Sequence, residues 1–348
     1  MGEFKPKFMA TTLESMPHRD VEEACRVMIR NFPEAPNIPH ITRSYRIWTE
    51  GTPCLVIDKE KRELRFQLSS RENELAEFYD RYLAQDLDYF AISSELDTTL
   101  YQLAEMYREN PWPELKLIHF HVPGPYSWGL SLKGEDGAPA LYNDTLRDVM
   151  IKVLAMKVKW RQRKIKELFP GIETMLCVGD GALQVFTSAG GTGTRDDLKN
   201  LYNELIDAVE GITCVHCCSN FDWGLLMETN TDVINFDAYQ YGNTMALYSD
   251  ELKRFLERGG MVAWGITPTA GGGNIEDESP DSLVGMLEGH LQSVVDKGID
   301  KERLLESSWV TPTCEPATMP VELAERVYEY TKEVSQRMRE RYFGWETA

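Results

Sequence analysis

Apolar and polar positions follow a recurring order along the chain: a short β-prone run, a turn, then a stripe with helical spacing. The first run spans Phe8 to Leu13. Val21 to Asn31 follows, with Val21, Ala24, Cys25, Val27, Met28 and Ile29 spaced to give a helix one buried face. Pro33, Pro36 and Pro39 then interrupt the chain. Cys54 to Asp58 and Glu63 to Leu68 alternate around Lys59-Glu60-Lys61 and predict a hairpin. A helix over Glu72 to Leu83 and a strand over Tyr89 to Ile92 come next.

From there the alternation is regular. Helix Thr98 to Glu109 leads to strand Leu115 to His121, and helix Asp144 to Leu168 to strand Thr174 to Val178. Helix Arg195 to Val209 leads to a strand ending at His216, and strand Val233 to Phe236 precedes helix Ser249 to Glu257. Strand Met261 to Ile266, helix Asp281 to Lys297, strand Glu306 to Val310 and a helix from Pro320 to about Tyr342 complete the chain. Strands alternating with helices imply a parallel sheet. Eight such units predict an α/β fold, a single (β/α)8 TIM barrel over 1–348 with a β-hairpin inserted at about 52–70. An open doubly wound sheet is the alternative, but the first strand is followed by no glycine fingerprint.

Composition narrows the function. The 348 residues are 42% hydrophobic, enough for a large core, and carry a formal net charge of −19. That charge disfavours nucleic acid and anionic membranes as partners. No apolar stretch approaches the ~20 residues of a membrane span, and the start lacks a signal-peptide core, so a cytoplasmic protein is expected. Seven cysteines, clustered and odd in number, fit reduced thiols better than a disulfide framework.

In a barrel, reactive groups collect just past the C-terminal ends of the strands. Glu14, Ser15 and His18 follow the first predicted strand, His121 ends the third and Asp180 follows the fourth. The fifth ends in Cys214-Val215-His216-Cys217-Cys218, the sixth in Asp237, and Cys314 follows the eighth. Side chains two apart share a face, so His216 and Cys218 form half a site for a metal that takes thiolate and imidazole. Cys25, Cys54, Cys177 and Cys214 read as core, and Cys217 points away from His216. Asp237 is open between metal ligation and a supporting hydrogen bond. The Gly271-Gly272-Gly273 loop reads as mobile rather than anion-binding, since no lysine signature accompanies it. Trp128, Trp223 and Trp264 either line a pocket or fill the barrel mouth.

Several stretches carry a resemblance: Ala10-Thr11-Thr12-Leu13-Glu14-Ser15-Met16-Pro17-His18, His216-Cys217-Cys218, Asp232 to Asp237, Ala263 to Pro268, and Val310-Thr311-Pro312-Thr313-Cys314. Together the chain resembles the C-terminal catalytic barrel of the cobalamin-independent methionine synthase family, in the superfamily shared with uroporphyrinogen decarboxylase, and most of all its short single-barrel members. The resemblance implies a Zn2+ ion held by His216, Cys218, Asp237 and Cys314, where a thiol is deprotonated and methylated. It implies Glu14, Ser15, His121 and Asp180 as substrate contacts, and His18 and Asp180 as catalytic groups. The chain departs from the pattern in three places. Asp237 stands where full-length synthases have Glu, Gly179-Asp180-Gly181 replaces Asp-Glu-Pro, and Glu14 replaces the glycine before Ser15.

The expected activity is zinc-dependent methylation of a small thiol, with homocysteine as acceptor and methylcobalamin or a methylated corrinoid protein as donor. The −19 surface and the lack of a second barrel make a polyglutamylated folate an awkward donor. Three alternatives stay open: a corrinoid-linked methyltransferase or demethylase with another small substrate, a uroporphyrinogen decarboxylase-like enzyme, and a non-catalytic metal- or corrinoid-binding barrel.

Overall fold

In chain order the strands are β1 (Met9–Ala10), β2 (Leu55–Asp58), β3 (Glu63–Phe66), β4 (Leu117–Pro123), β5 (Leu132–Lys133), β6 (Glu173–Gly179), β7 (Ile212–Cys217), β8 (Val233–Asp237), β9 (Met261–Thr267) and β10 (Ser308–Pro312). The structure is a computed structural model that describes residues 4–13, 15–41, 46–58, 63–187, 193–269 and 273–345. Seven strands form one sheet in the order β1-β10-β9-β8-β7-β6-β4, and every pairing in it is parallel.

The sheet is curled and TIM-barrel-like. Met9 on β1 and Leu117 on β4, from opposite ends of the strand order, share one buried cluster with Met175, Cys177, Cys214, Val233, Met261 and Trp309. That cluster is the inner face. Alternate residues such as Leu176, Val178, Val215, Ile234 and Phe236 belong to the larger outer core that packs under the helices. Burial on both faces explains why these strands read as unbroken apolar runs.

The helices begin where the sequence supplies caps. Asp20 accepts from the Glu23 N–H at 2.8 Å to open Val21–Asn31, and Thr194 and Asp197 cap each other reciprocally at the start of Arg195–Ile206. Ser279 and Ser282 do the same for Pro280–Val295, with Pro280 at its first position. Gly344, at φ 65°, ends Val321–Phe343 in the left-handed conformation that glycine adopts freely.

The predicted hairpin exists as β2 paired antiparallel with β3, and β5 adds a third strand parallel to β3. The predicted strand over Tyr89 to Ile92 does not form. Leu87–Phe90 is a short 3-10 helix, and Phe90 buries its ring edge-on against Phe78 at 6.0 Å. A run of four apolar residues satisfies either state, and packing decided.

The place between β1 and β4 is filled instead by 34–40, the proline-interrupted segment. Ile38 N–H donates to the His119 carbonyl at 2.8 Å, His119 N–H donates to the Pro36 carbonyl at 3.0 Å, and Leu117 N–H reaches the Glu34 carbonyl at 3.2 Å. On the other side the Met16 N–H meets the His40 carbonyl at 2.9 Å, and the Thr11 hydroxyl donates to the Ala35 carbonyl at 2.8 Å. Proline has no N–H, but Pro36 contributes through its carbonyl. Glu34 pins the segment further through ion pairs to Lys116 and Arg339.

Candidate metal centre

β7 carries the first half of the site. His216 pairs with Gly179 of β6 on one side and Asn235 of β8 on the other. Its ring turns into the curl, whereas Cys217 turns outward to bond Ser219. Cys218 sits just past the strand end. Between Thr311 and Pro312 the β10–β9 register shifts, an irregularity of the kind that re-aims a chain beside active sites, and Cys314 follows it. Gly265 is required at this level: a Cβ there would lie 2.4 Å from the Phe236 carbonyl oxygen and 2.9 Å from that of Pro312.

The result is a convergence of His216, Cys218 and Cys314, each offering a ligand atom within 4.8 Å of the other two. They line a cavity of about 590 Å³ together with Ser15, His40, Trp48, His121, Asp180 and Glu315. The donor set fits a metal. His216 Nδ1 lies 2.6 Å from Asn235 Oδ1, while its Nε2 is buried with no protein partner. A hydrogen bond from the Cys314 thiol pulls the Cys218 thiol well below its ordinary value. Donation to Cys218, together with burial, pushes Cys314 well above its own. One thiolate, one thiol and one imidazole lone pair are the groups a zinc ion takes up.

The fourth expected ligand stands apart. Asp237 caps the short helix that follows β8, its Oδ1 accepting from the Gln240 N–H at 2.9 Å and its Oδ2 from the Gln240 side-chain amide at 2.6 Å. It lies outside the His-Cys group. Burial raises its carboxyl, with the Gln240 bonds pulling the other way.

Asp180 lines the cavity but is fully buried and occupied. It accepts from the Tyr126 and Ser127 N–H groups at 2.8 and 2.9 Å, the Ser127 hydroxyl at 2.6 Å and the Tyr202 hydroxyl at 2.6 Å. Burial keeps its carboxyl above the usual value despite these bonds. The carboxylate thus anchors the start of the helix Pro125–Ser131.

His121 and Ser15 are on the cavity wall. His18 is not among the residues lining it. It is buried, with Nε2 3.2 Å from Glu325 Oε1 on the C-terminal helix. Glu14, Gly271 and Gly272 lie outside the described residues.

Trp128, Trp223 and Trp264 are all buried, and none of them lines the cavity. Trp223 and Trp264 instead flank Phe236, at 5.1 and 5.6 Å between ring centres. The cavity tryptophan is Trp48, backed by the Arg161 guanidinium 5.6 Å from its ring. His40, another wall residue that the sequence did not single out, is lowered to about 4 by burial and by the charge of Arg161. It follows Pro39 in a stretch that reads as a break, so no periodicity pointed to it. Among the described residues no helix is long and apolar enough to cross a membrane.

Comparison with solved structures places the fold. A B12-independent methionine synthase from Shewanella sp. W3-18-1, in complex with selenomethionine, matches with a TM-score of 0.59. The match covers 97% of this chain and 99% of that one, at 11% identity. A GH113 β-1,4-mannanase aligns at 13% identity over 95% of this chain and 99% of its own, but with a TM-score of only 0.42. A putative lyase/mutase from Burkholderia cenocepacia J2315 reaches 0.38 at 10% identity, covering 97% of this chain and 85% of its own. Neither of these two carries weight. No protein-family model and no curated protein matches the sequence.

Proposed function

We propose that this chain, which has the fold of a B12-independent methionine synthase, is a zinc-dependent methyltransferase that methylates a small thiol. The convergence of His216, Cys218 and Cys314 at the wall of one cavity carries this reading. Zinc held by these residues would supply a thiolate at neutral pH by lowering the pKa of the acceptor's thiol. Asp237 would join the set only by releasing Gln240. The segment 34–40 then counts as the second position of an eight-membered barrel.

The protein's own residues bind and orient the acceptor. Homocysteine is the acceptor we favour. Asp180 is saturated by hydrogen bonds, so the acceptor's ammonium is better met by Glu315, and its carboxylate by Ser15 and the neighbouring backbone. His40 and His121 also line the cavity, and burial lowers the basicity of both rings, so neither competes as a cation for the acceptor's sulfur. In the transfer itself a sulfur–carbon bond forms as the donor's bond to that methyl breaks, and the bonding electron pair stays with the donor. The −19 charge favours methylcobalamin or a methylated corrinoid protein over a polyanionic folate.

Zinc-loaded protein mixed with homocysteine and methylcobalamin tests the reading. Methionine should form in step with the absorbance change of demethylated cobalamin, and Cys218→Ser should abolish both. Methionine formation from methyltetrahydrofolate alone at a useful rate would remove the corrinoid donor from the account.

A further inference from the structure

Beneath the cavity the inner face of the sheet holds a second group of soft ligands. His119 and His121 alternate inward on β4, and Cys177 faces His121 in register on β6. A ring nitrogen of each histidine and the Cys177 sulfur all lie within 4.8 Å of one another. The two rings are 4.5 Å apart, tilted by 38°, and Cys214 Sγ is 3.5 Å from Cys177 Sγ.

The hydrogen bonds fix what His119 presents. The Thr11 hydroxyl spends its proton on the Ala35 carbonyl, so its contact with His119 Nδ1 at 3.0 Å requires the N–H on the ring. His119 Nε2 is then a lone pair, and it has no protein partner although the residue is 2% exposed. His121 Nε2 is likewise without a protein partner in a residue 4% exposed. Two buried, unpaired imidazole nitrogens beside two thiols are costly as they stand, since each has given up its hydrogen bond to water and gained none in return. A cation bound among them satisfies both.

We propose that His119, His121 and Cys177, with Cys214 beside Cys177, form a second metal site, separate from the first, for zinc or another borderline-to-soft ion. Two imidazoles and a thiol are a donor set for such ions and a poor one for calcium or magnesium. Access comes from the cavity, because His121 belongs both to its wall and to this group.

Zinc-edge anomalous diffraction from crystals of the full chain soaked in zinc tests this directly, alongside zinc counts on the purified protein. A peak bonded to His119, His121 and Cys177 is expected, with about two ions per chain in the native protein. The count should fall to about one in Cys177→Ser and, separately, in the double variant Cys218→Ser, Cys314→Ser. If Cys177→Ser does not fold, the native map still decides. Absence of a peak among these residues, with a count unchanged by Cys177→Ser, would overturn the proposal. A peak at His216 is scored separately, so failure of the first site leaves this one standing.

Discussion

Asn235 Oδ1 sits 2.6 Å from His216 Nδ1, and the amide can present only its oxygen there. Its nitrogen is committed to the Ala263 carbonyl at 3.1 Å and to the Thr311 hydroxyl at 2.7 Å. His216 therefore carries its proton on Nδ1 and turns an Nε2 lone pair toward Cys218 and Cys314. A hydrogen bond of this kind behind a ligating histidine sets the ring's orientation and its basicity. Asn235→Ala should weaken zinc binding about 10–100-fold while leaving the fold intact. Chelator competition on the two proteins checks this, and equal affinities would contradict it.

Gly124 lies against Asp180. A Cβ at Gly124 would come within 2.3 Å of the Asp180 Cβ and 2.5 Å of its Oδ2. Gly124→Ala must therefore push the carboxylate off the Tyr126 and Ser127 N–H groups. A loss of about 1–3 kcal/mol is expected from overpacking, read by denaturant unfolding. A change below a few tenths would show that Asp180 does not hold this turn.

Arg161 and Asp97 form an ion pair in which both side chains are fully buried, at 2.8 Å. The same guanidinium supports Trp48 and reaches the His121 carbonyl. Removing one partner of such a pair costs about 3–5 kcal/mol, because the other charge stays buried and unpaired. Asp97→Asn should lower thermal stability accordingly. It should also raise the KM for the thiol acceptor, since the cavity wall rests on this pair. A variant with native stability and native KM would refute both parts.

Glu34 gives a pH signature. Burial works to raise its carboxyl, but hydrogen bonds and charge from Arg339 and Lys116 outweigh this and hold it below its ordinary value. A folded value below the unfolded one means stability that is present above the usual carboxylate range, near about pH 4.3. That stability is lost as pH falls through the folded value. Native protein should be more stable than Glu34→Gln at pH 7, with the gap narrowing through the acid range as the carboxyl protonates. A gap independent of pH would exclude the ion pairs as its source.

The sequence announced the order of elements and the strand-end chemistry because both follow from short-range rules. Alternation with period two put His216 and Cys218 on one face, and they do converge although Cys218 lies just past the strand end. What alternation cannot supply is contact between strands, so the Asn235 bond to His216 and the helix-capping role of Asp237 became visible only with β8 in place. The strand expected at Tyr89 to Ile92 and the true occupant at 34–40 were exchanged for a physical reason. Prolines mark breaks in most contexts, yet a segment tied through carbonyls such as that of Pro36 tolerates them. His119, two residues before His121 on the same strand, was not singled out from the sequence, and its bare Nε2 depends on Thr11 and Ala35, far away along the chain.

The central claim is that His216, Cys218 and Cys314 together hold an ion beside which a thiol acceptor binds. A crystal of the zinc-loaded protein soaked with homocysteine tests it most directly. The account predicts one ion bonded to these three residues, with the homocysteine sulfur within about 2.3 Å of it. An ion missing from these residues, or homocysteine bound with its sulfur pointing away, would contradict it.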